Sequence, residues 1–475
     1  MKISLSTLSY LFAFIGIIFV GYVVLHPPVA LTPGFNCPDC NVIVIGVDTL
    51  RADHVHAFGY PLDTTPTIDA LAAKGYSFTD AISASNWTVP SFMSIMTGVF
   101  PSVHKVTNKY SVFTPTTQTL TNLHTLSPSI QTLAQQMKNA GYATGGFTGD
   151  AGVSGKFGYN QGFDAYTDEK AFGGFDNSMP HALSWLDSLP KDKKFFMFFH
   201  GYDLHGQYDL PANERIFVPK DYTGPYTGSP AEEAKLREAI LTPAGISLTP
   251  ADVALWKGLY DSKVHAADAE IAAFLSELDK RGLLAHTVIV VIADHGEEFY
   301  EHGGIDHGQS LYDELVHVPL IIDIPGSQGG EVIPGQVSTM DIAPAILNIV
   351  GVRPTSAFAS QTAGRPNLVS YLQNPATPGY DVYTETDYRD YTHERSIRTV
   401  DGWKYIITLE SGKEQLYNLT TDPGETKNLI GVADDAQKAE ELRVAVRNHM
   451  SNDLHVDPNA PVTTGCLPVY QGECQ

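Results

Sequence analysis

Two apolar runs far apart in the chain each end on a carboxylate. Asn41-Val-Ile-Val-Ile-Gly-Val47 leads into Asp48, and Thr287-Val-Ile-Val-Val-Ile-Ala293 leads into Asp294-His295-Gly296. Runs of this length and β-branched content read as buried strands. In open α/β sheets, ligands settle in the crevice beyond the carboxyl ends of the strands. Were these two strands parallel neighbours, Asp48, Asp294 and His295 would meet at one edge. Carboxylates with an imidazole suit a divalent cation such as zinc or manganese. Taken alone, Asp-His-Gly is equally a turn that closes a strand, so the metal reading rests on the pairing with Asp48.

A hydroxyl joins them. Ser85-Asn-Trp-Thr88-Val-Pro90-Ser-Phe92 through Gly98 reads as a loop entering a helix with Pro90 in its first turn and Thr88 at its N-terminus. A helix start offers free backbone N–H groups and a favourable dipole, so a hydroxyl there can hold and attack a tetrahedral anionic centre. The same residue at the same place is also an ordinary helix cap.

The elements that must position these groups alternate helix and buried strand. Thr64 to Gly75 predicts a short helix with Thr64 or Thr65 near its cap, Pro66 in the first turn and Gly75 as its stop. Ser129 to Gly141 predicts an amphipathic helix followed by a strand at Tyr142 to Phe147, and Phe195 to His200 a fully apolar strand. Gly206 to Leu248 turns to Pro, Gly, Tyr and charge, as a surface excursion near the site would. A long helix from about Pro250 to Arg281 returns the chain to the strand ending at Asp294. The fold this predicts is α/β, a doubly wound and mostly parallel central sheet. After Asn374 the segments shorten. Val382 to Thr386, Arg395 to Thr399, Lys404 to Thr408 and Gln415 to Asn418, then a helix from Ala433 to Met450, predict a small antiparallel sheet plus helix. The division expected is 1–26 as a transmembrane anchor or signal segment, 27–40 as a tether, 41–374 as the catalytic domain and 375–475 as a C-terminal subdomain.

The anchor reading comes from Leu5 to Leu25, which carries no charge, follows Lys2 and stops at His26-Pro27-Pro28. It is long enough to span a bilayer as a helix, and Lys2 favours a catalytic domain outside the cytoplasm, periplasmic or extracellular. Cys37, Cys40, Cys466 and Cys474 flank the domain. Outside the cytoplasm they would form disulfides, in any of three pairings, with a four-thiolate zinc site as the lesser alternative. A net charge of −23 argues against a nucleic-acid or anionic-lipid surface, because either partner needs clustered Lys and Arg.

In order along residues 41 to 430, several motifs resemble the sulfatase family of the alkaline phosphatase superfamily. They are Asp48-Thr-Leu-Arg51-Ala-Asp53; Trp87-Thr88-Val-Pro90-Ser91 with Thr97-Gly-Val-Phe-Pro101; and Asp294-His295-Gly-Glu297-Glu298-Phe299 through His302-Gly303. His307-Gly-Gln-Ser310-Leu-Tyr-Asp313-Glu314, Val318-Pro-Leu-Ile321 and Leu416-Tyr-Asn-Leu419 with Asp422-Pro423 continue the match. The resemblance implies that Asp48, Asp294 and His295 bind a metal with Thr88 Oγ as a further ligand. It also implies that His205 and His307 touch substrate or a second metal. Asp203 is a weaker candidate, His200 closes a strand and can reach the site, and His302, Glu297 and Glu298 read as loop groups or as groups that support a ligand from behind, rather than ligands. Lys105 to His124, with the excursion, would shape the pocket.

Two departures bear on the chemistry. The family oxidises a Cys or Ser to formylglycine in the pattern Cys/Ser-x-Pro-x-Arg, whereas here the slots hold Thr88 and Phe92, and threonine cannot give that aldehyde. Thr49 replaces the second of two consecutive Asp residues, which weakens a calcium site and favours zinc, with manganese or calcium as alternatives. The leading expectation is a phosphate-ester hydrolase, on a monoester or diester, that forms a covalent intermediate on Thr88 with His205 or His307 at the leaving group. Its alternatives are a sulfuric ester hydrolase acting without formylglycine, a phosphoethanolamine-type transferase at the membrane, and a binding protein with a degenerate site. The expected substrate is a small-molecule, glycan or lipid ester.

Overall fold

A computed structural model describes residues 35–107, 124–239, 245–388 and 392–459. The expected anchor, most of the tether, Cys466, Cys474 and most of Lys105 to His124 lie outside the described residues. Among those described, no helix is long and apolar enough to cross a membrane.

The large sheet takes its strands from β1 (Asn41–Val47), β2 (Tyr76–Ile82), β3 (Ala143–Phe147), β4 (Ala165–Thr167), β5 (Phe195–Gly201) and β6 (Thr287–Ile292). A small ribbon, β7 (Glu298–Phe299) and β8 (Ile305–Asp306), interrupts it before β9 (His317–Asp323), β10 (Glu331–Ile333) and β11 (Val337–Ser338). The order is β10-β2-β9-β6-β1-β5-β3-β4, with β11 also on β2. All pairings are parallel except those of β9, which runs antiparallel to both β2 and β6. This is the doubly wound, mostly parallel sheet that the alternating pattern predicts. Every residue of β1, β5 and β6 is buried, as expected when helices cover both faces and the strands carry unbroken apolar runs.

Helix boundaries tighten relative to the sequence reading. The helix expected from Thr64 spans Pro66–Ala72 after Thr65. The one expected from Ser129 begins at Leu133, because Thr132 and Gln135 form a reciprocal capping box. Pro250–Lys280 runs nearly as expected, started by a second such box between Thr249 and Asp252. The excursion contains a helix of its own, Pro230–Ala239.

Strands β12 (Val382–Tyr388), β13 (Thr392–Arg398), β14 (Trp403–Thr408) and β15 (Lys413–Asn418) form an antiparallel sheet in chain order. The Ala436–Asn448 helix covers it through Ala439, Leu442 and Val446, packed with Ile397, Tyr405 and Leu416. Strand β12 also reaches the large domain. Its Glu385 N–H donates to Ala84 O (3.0 Å), and Thr384 Oγ1 donates to Ser83 O (2.8 Å).

An ionic cluster fixes the junction. Lys404 Nζ is fully buried and pairs with Asp313 Oδ1 (2.7 Å) and Glu425 Oε1 (3.0 Å), while Arg398 bridges Asp313 (3.1 Å) and Asp80 (2.8 Å). Asp313 lies at the end of the loop that carries His307. Removing one partner of a buried pair strands the other charge, at a cost of about 3–5 kcal/mol. Lys404→Met should therefore lower unfolding free energy by about that amount, read from urea denaturation of the purified protein. A loss no larger than an exposed lysine would give contradicts this account.

Candidate active site

Strand register brings the two carboxylates together. Gly46 pairs with Ile292 in the parallel ladder of β1 and β6 and with His200 across β5, so Asp48, Asp294 and the Tyr202–His205 turn leave the sheet at one edge. Asp48, Asp294 and His295 are completely buried, and one ligand atom from each lies within 4.8 Å of the others. Asp294 Oδ1 accepts from Thr49 N–H (3.3 Å). Asp48 Oδ2 and Asp294 Oδ2 have no hydrogen-bond partner. Burial pushes both acids up, Asp48 well above the usual carboxylate range with the Asp294 charge adding to it, and Asp294 to about 7. Paired, unpartnered, desolvated carboxylate oxygens beside an imidazole are what a divalent cation satisfies, so the residues fit the ion the sequence implies.

The turn after β1 is strained. Thr49, β-branched, sits at φ 59°, a conformation that costs such a residue about 1–3 kcal/mol. Tyr260 from the long helix holds it, donating from its hydroxyl to Thr49 O (2.8 Å) and accepting from Arg51 N–H (3.0 Å).

Thr88 is the first residue of the Thr88–Thr97 helix, and Trp87, not Thr88, occupies the cap position. Its hydroxyl is therefore not spent on the helix. It donates to Asp48 Oδ1 (3.1 Å) and lies 3.3 Å from His295 Nε2. A Cβ on Gly152 would come within 2.7 Å of Thr88 Cβ, so glycine lets that loop pack directly against the Thr88 side chain. The helix start is tied down by Tyr159, whose hydroxyl donates to Val89 O (2.7 Å).

Three imidazoles converge here. The His307 ring centroid is 4.4 Å from that of His295 and 5.1 Å from that of His205. Nδ1–H of His295 donates to Gly296 O (2.9 Å) and Nδ1–H of His205 to Gly206 O (3.2 Å). A carbonyl only accepts, so both rings keep an Nε2 lone pair. Burial pushes both well below the ordinary histidine value. His307 differs. Its Nδ1 lies 2.9 Å from Glu297 Oε1 and 2.9 Å from Asp306 Oδ1. Burial opposes its charge, but Asp306 and Glu297 hold it as imidazolium, up to about 10. Arg237, from the excursion helix, completes this second cluster by pairing with Asp306 at 2.5 Å.

The structure thus gathers Asp48, Thr88, Asp294 and His295, and places His307 and His205 beside them. It does not bring in the weaker candidates. Asp203 accepts from Phe175 N–H (2.9 Å), anchoring the Phe175–Ser188 helix. His200 packs against Phe92, Phe198 and Tyr202, without a hydrogen-bond partner on either nitrogen, and burial lowers it to about 3. His302 stacks on Tyr312 and pairs with Glu314, and Glu298 accepts from the N–H groups of His302 and Gly304. Arg237 escapes sequence reading because its partner Asp306 lies 69 residues away, and Asp306 because nothing in the His307 motif marks its neighbour as an ion-pair partner. Glu297 takes the supporting role that the sequence allows it, holding His307 through Nδ1 (2.9 Å). A disulfide joins Cys37 to Cys40.

A family model described as Sulfatase matches residues 40–352, and one described as N-sulphoglucosamine sulphohydrolase, C-terminal, matches residues 300–452. The chain is 23% identical over 442 residues to arylsulfatase K of Mus musculus, covering 82% of this chain and 76% of the relative. It is 22% identical over 511 residues to an N-acetylglucosamine-6-O-sulfatase of Bacteroides thetaiotaomicron, covering 89% and 88%. Among solved structures, a protein in complex with its substrate D-glucosamine-2-N,6-O-disulfate superposes with a TM-score of 0.72 at 22% identity, over 89% of this chain and 99% of that one. The phosphonate monoester hydrolase of Agrobacterium radiobacter superposes with a TM-score of 0.68 at 19% identity, over 86% and 96%.

The buried carboxylates make a prediction about the ion-free protein. Asp294 at about 7 stands above the unfolded value of about 4. Its protonated form therefore supports folding below pH about 4, and that support is lost as pH rises through about 7. Chelator-stripped protein should melt at a lower temperature near pH 8 than near pH 5, and zinc should restore the loss at pH 8. A flat profile without metal, or no response to any divalent ion, would remove the carboxylate pair as a cation site.

Proposed function

The chain belongs to the sulfatase family, and from that premise we propose that it is a metal-dependent hydrolase of saccharide sulfate esters with unmodified Thr88 at the reacting position. The observation that carries this reading is the Thr88 hydroxyl, 3.1 Å from Asp48 Oδ1 and 3.3 Å from His295 Nε2 inside the buried cluster. Relatives named as sulfatases, including one for N-acetylglucosamine-6-O-sulfate groups, support the substrate class. Asp48, Asp294 and His295, with Thr88 Oγ1, would hold a divalent ion, zinc first, which supplies Lewis acidity and offsets the negative charge at the ester.

The chain's own groups divide the rest of the work. Asp48 Oδ1 is placed to accept the Thr88 proton, while the His295 Nε2 lone pair is the one the ring would offer the ion. Attack by Oγ1 on sulfur forms a Thr88 O–S bond and breaks the bond to the saccharide oxygen, which leaves as an alcohol carrying a proton from His307. Water then attacks sulfur, returning the Thr88 hydroxyl and releasing sulfate. His205 Nε2 is available to the leaving group or to that water.

A second reading, hydrolysis of phosphate or phosphonate esters by the same two steps, has its own support. Thr88 cannot be oxidised to formylglycine, and a phosphonate monoester hydrolase shares the fold. For location we propose export, with residues 1–26 as anchor or signal. The Cys37–Cys40 bridge supports an oxidising compartment. We further propose the division into 41–374 for catalysis and 375–475 as its docked subdomain, supported by the separate core of the second sheet.

Metal-stripped protein reconstituted with zinc, manganese or calcium should be assayed on saccharide sulfates, 4-nitrophenyl sulfate, and the matching phosphates and phosphonates. Thr88→Ala should cut turnover of the accepted ester at least about a thousandfold, with metal content unchanged or modestly reduced. Retained activity in that variant would discard the nucleophile. Turnover of phosphorus esters alone would install the second reading in place of the first.

A further inference from the structure

One helix touches both of the loops that carry the outer histidines. Pro230–Ala239 lies in the excursion between β5 and the long helix, and the reaction scheme gives it no part. Glu233 and Arg237 stand four residues apart on it, so their side chains share one face. Glu233 is buried, and its Oε1 lies 3.9 Å from Arg237 Nη1.

Glu233 grips the turn that follows His205. Its carboxylate accepts from Gln207 N–H (2.8 and 2.9 Å to the two oxygens) and from Tyr208 N–H (3.1 Å). Gln207 N–H and Gly206 C=O belong to one rigid peptide plane, and Gly206 O accepts from His205 Nδ1–H (3.2 Å). Holding the N–H end of that plane fixes where its carbonyl end points. Across one peptide group, Glu233 therefore sets the hydrogen bond that leaves the His205 lone pair on Nε2. Gly206 permits the approach, since a Cβ there would stand 2.4 Å from Glu233 Oε1 and 3.2 Å from Arg237 Nη1.

Arg237 reaches the other loop. Its Nε–H and Nη2–H both meet Asp306 Oδ2 at 2.5 Å. The second oxygen of that carboxylate, Oδ1, lies 2.9 Å from His307 Nδ1. Two charged donors on one oxygen resist both rotation and displacement of the carboxylate, so Asp306 faces His307 in one orientation. Gln207 and Asp306 also share a backbone peculiarity, with φ 81° and φ 75°. Left-handed residues other than glycine persist where surrounding groups hold them, and the holding groups here include Glu233 and Arg237. A helix that only shored up the excursion would spend these two side chains within it. They run instead to the residues beside the two imidazoles.

We propose that Glu233 and Arg237 are positioning residues for the reaction, setting the His205 Nε2 lone pair through the Gly206–Gln207 peptide and holding His307 as proton donor through Asp306. The assignment rests on the two-step scheme above. It applies to sulfur and phosphorus esters alike, because it concerns the histidines and not the transferred group.

The test is a pair of double-mutant cycles, Glu233→Ala with His205→Asn and Arg237→Met with His307→Asn. Both kcat and KM are measured on the 4-nitrophenyl and saccharide forms of the sulfate or phosphorus ester that the parent protein accepts. Glu233→Ala and Arg237→Met should each lower kcat on the saccharide ester about ten- to a hundredfold, part of what a general acid or base supplies, with KM moved less than about threefold. For Arg237→Met the loss should be at least about tenfold smaller on the 4-nitrophenyl ester, whose leaving group departs without a proton. In the His205→Asn and His307→Asn backgrounds the respective changes should cost less than about threefold, because the ring each acts through is gone. Glu233→Gln still offers an oxygen to Gln207 N–H, and Arg237→Lys keeps the charge on Asp306. Both fold-conserving variants run through the same cycles and should recover at least about threefold of the lost kcat. Equal losses with and without the histidine overturn the positioning role, since a merely structural defect acts in both backgrounds. Equal losses of Arg237→Met on the two leaving groups overturn it for that residue. If His205→Asn and His307→Asn leave kcat unchanged, or the parent turns over no ester, the scheme itself falls and the positioning role falls with it.

Discussion

Two carboxylates are buried side by side at the ends of neighbouring strands, and among the described residues no Lys or Arg pairs with either. Asp48 and Asp294 follow β1 and β6, whose parallel register leaves no freedom to separate them. Arg51, close in sequence, is committed to Asp53, Glu301 and the Glu297 carbonyl. The imidazolium of His307 is committed to Glu297 and Asp306. Each desolvated charge costs several kcal/mol even after relaxation, so a divalent ion bound there would relieve a large cost. The strained Thr49, the hydroxyl of Tyr260 and the bare N-terminus of the Thr88–Thr97 helix are arranged around that demand. The fold tolerates an expensive site because the strands that create it, β1, β5 and β6, are buried from end to end.

The C-terminal sheet handles buried charge the opposite way. Lys404 is as buried as Asp48, yet Asp313 and Glu425 surround it, and Arg398 extends the network to Asp80. This closed network belongs to the scaffold and does not need a ligand. Its location matters because Asp313 ends the segment that begins at His307. Glu425 also accepts from the Asp313 backbone N–H (2.6 Å), and Tyr312 donates to Gln415 (2.6 Å). Along the same seam, Trp87, next to Thr88, meets Tyr388 of β12 edge-on at 5.2 Å. The second sheet therefore sets the geometry of both the helix start and the histidine loop, although none of the proposed reacting groups comes from it.

What could be read from sequence follows from how local each signal is. β-branched runs ending in Asp announce strand ends, and the order of motifs announces the family, so Asp48, Thr88, Asp294 and His295 were visible. Whether Thr88 caps its helix could not be decided locally, because threonine suits both roles. The decision lies in Trp87 occupying the cap and in Asp48, forty residues earlier, taking the hydroxyl's hydrogen bond. The antiparallel course of β9 left no trace in its apolar run, since a fully buried strand looks the same in either direction. His200 looked available because it ends a strand, but Phe92, the residue standing in the family's arginine slot, turns its surroundings apolar.

That exchange at Phe92, taken with Thr88, bears on which ester the site can accept. A single hydroxyl offers one oxygen, so a group transferred to it must leave by attack of water on sulfur or phosphorus. The surrounding charge then decides how anionic a group can be held. One dication would offset Asp48 and Asp294, while Arg237 and the His307 imidazolium offset Asp306 and Glu297. Neither cluster keeps positive charge in surplus, and the arginine that the family pattern would add is a phenyl ring packed on His200 and Phe198. A sulfate ester brings one negative charge, and a phosphate monoester at neutral pH brings close to two. In a buried, acidic site on a chain of net charge −23, the second charge meets no unspent cation among the described residues. A site built this way fits a monoanion, whether a sulfate ester, a phosphodiester or a phosphonate monoester, better than a phosphate monoester dianion.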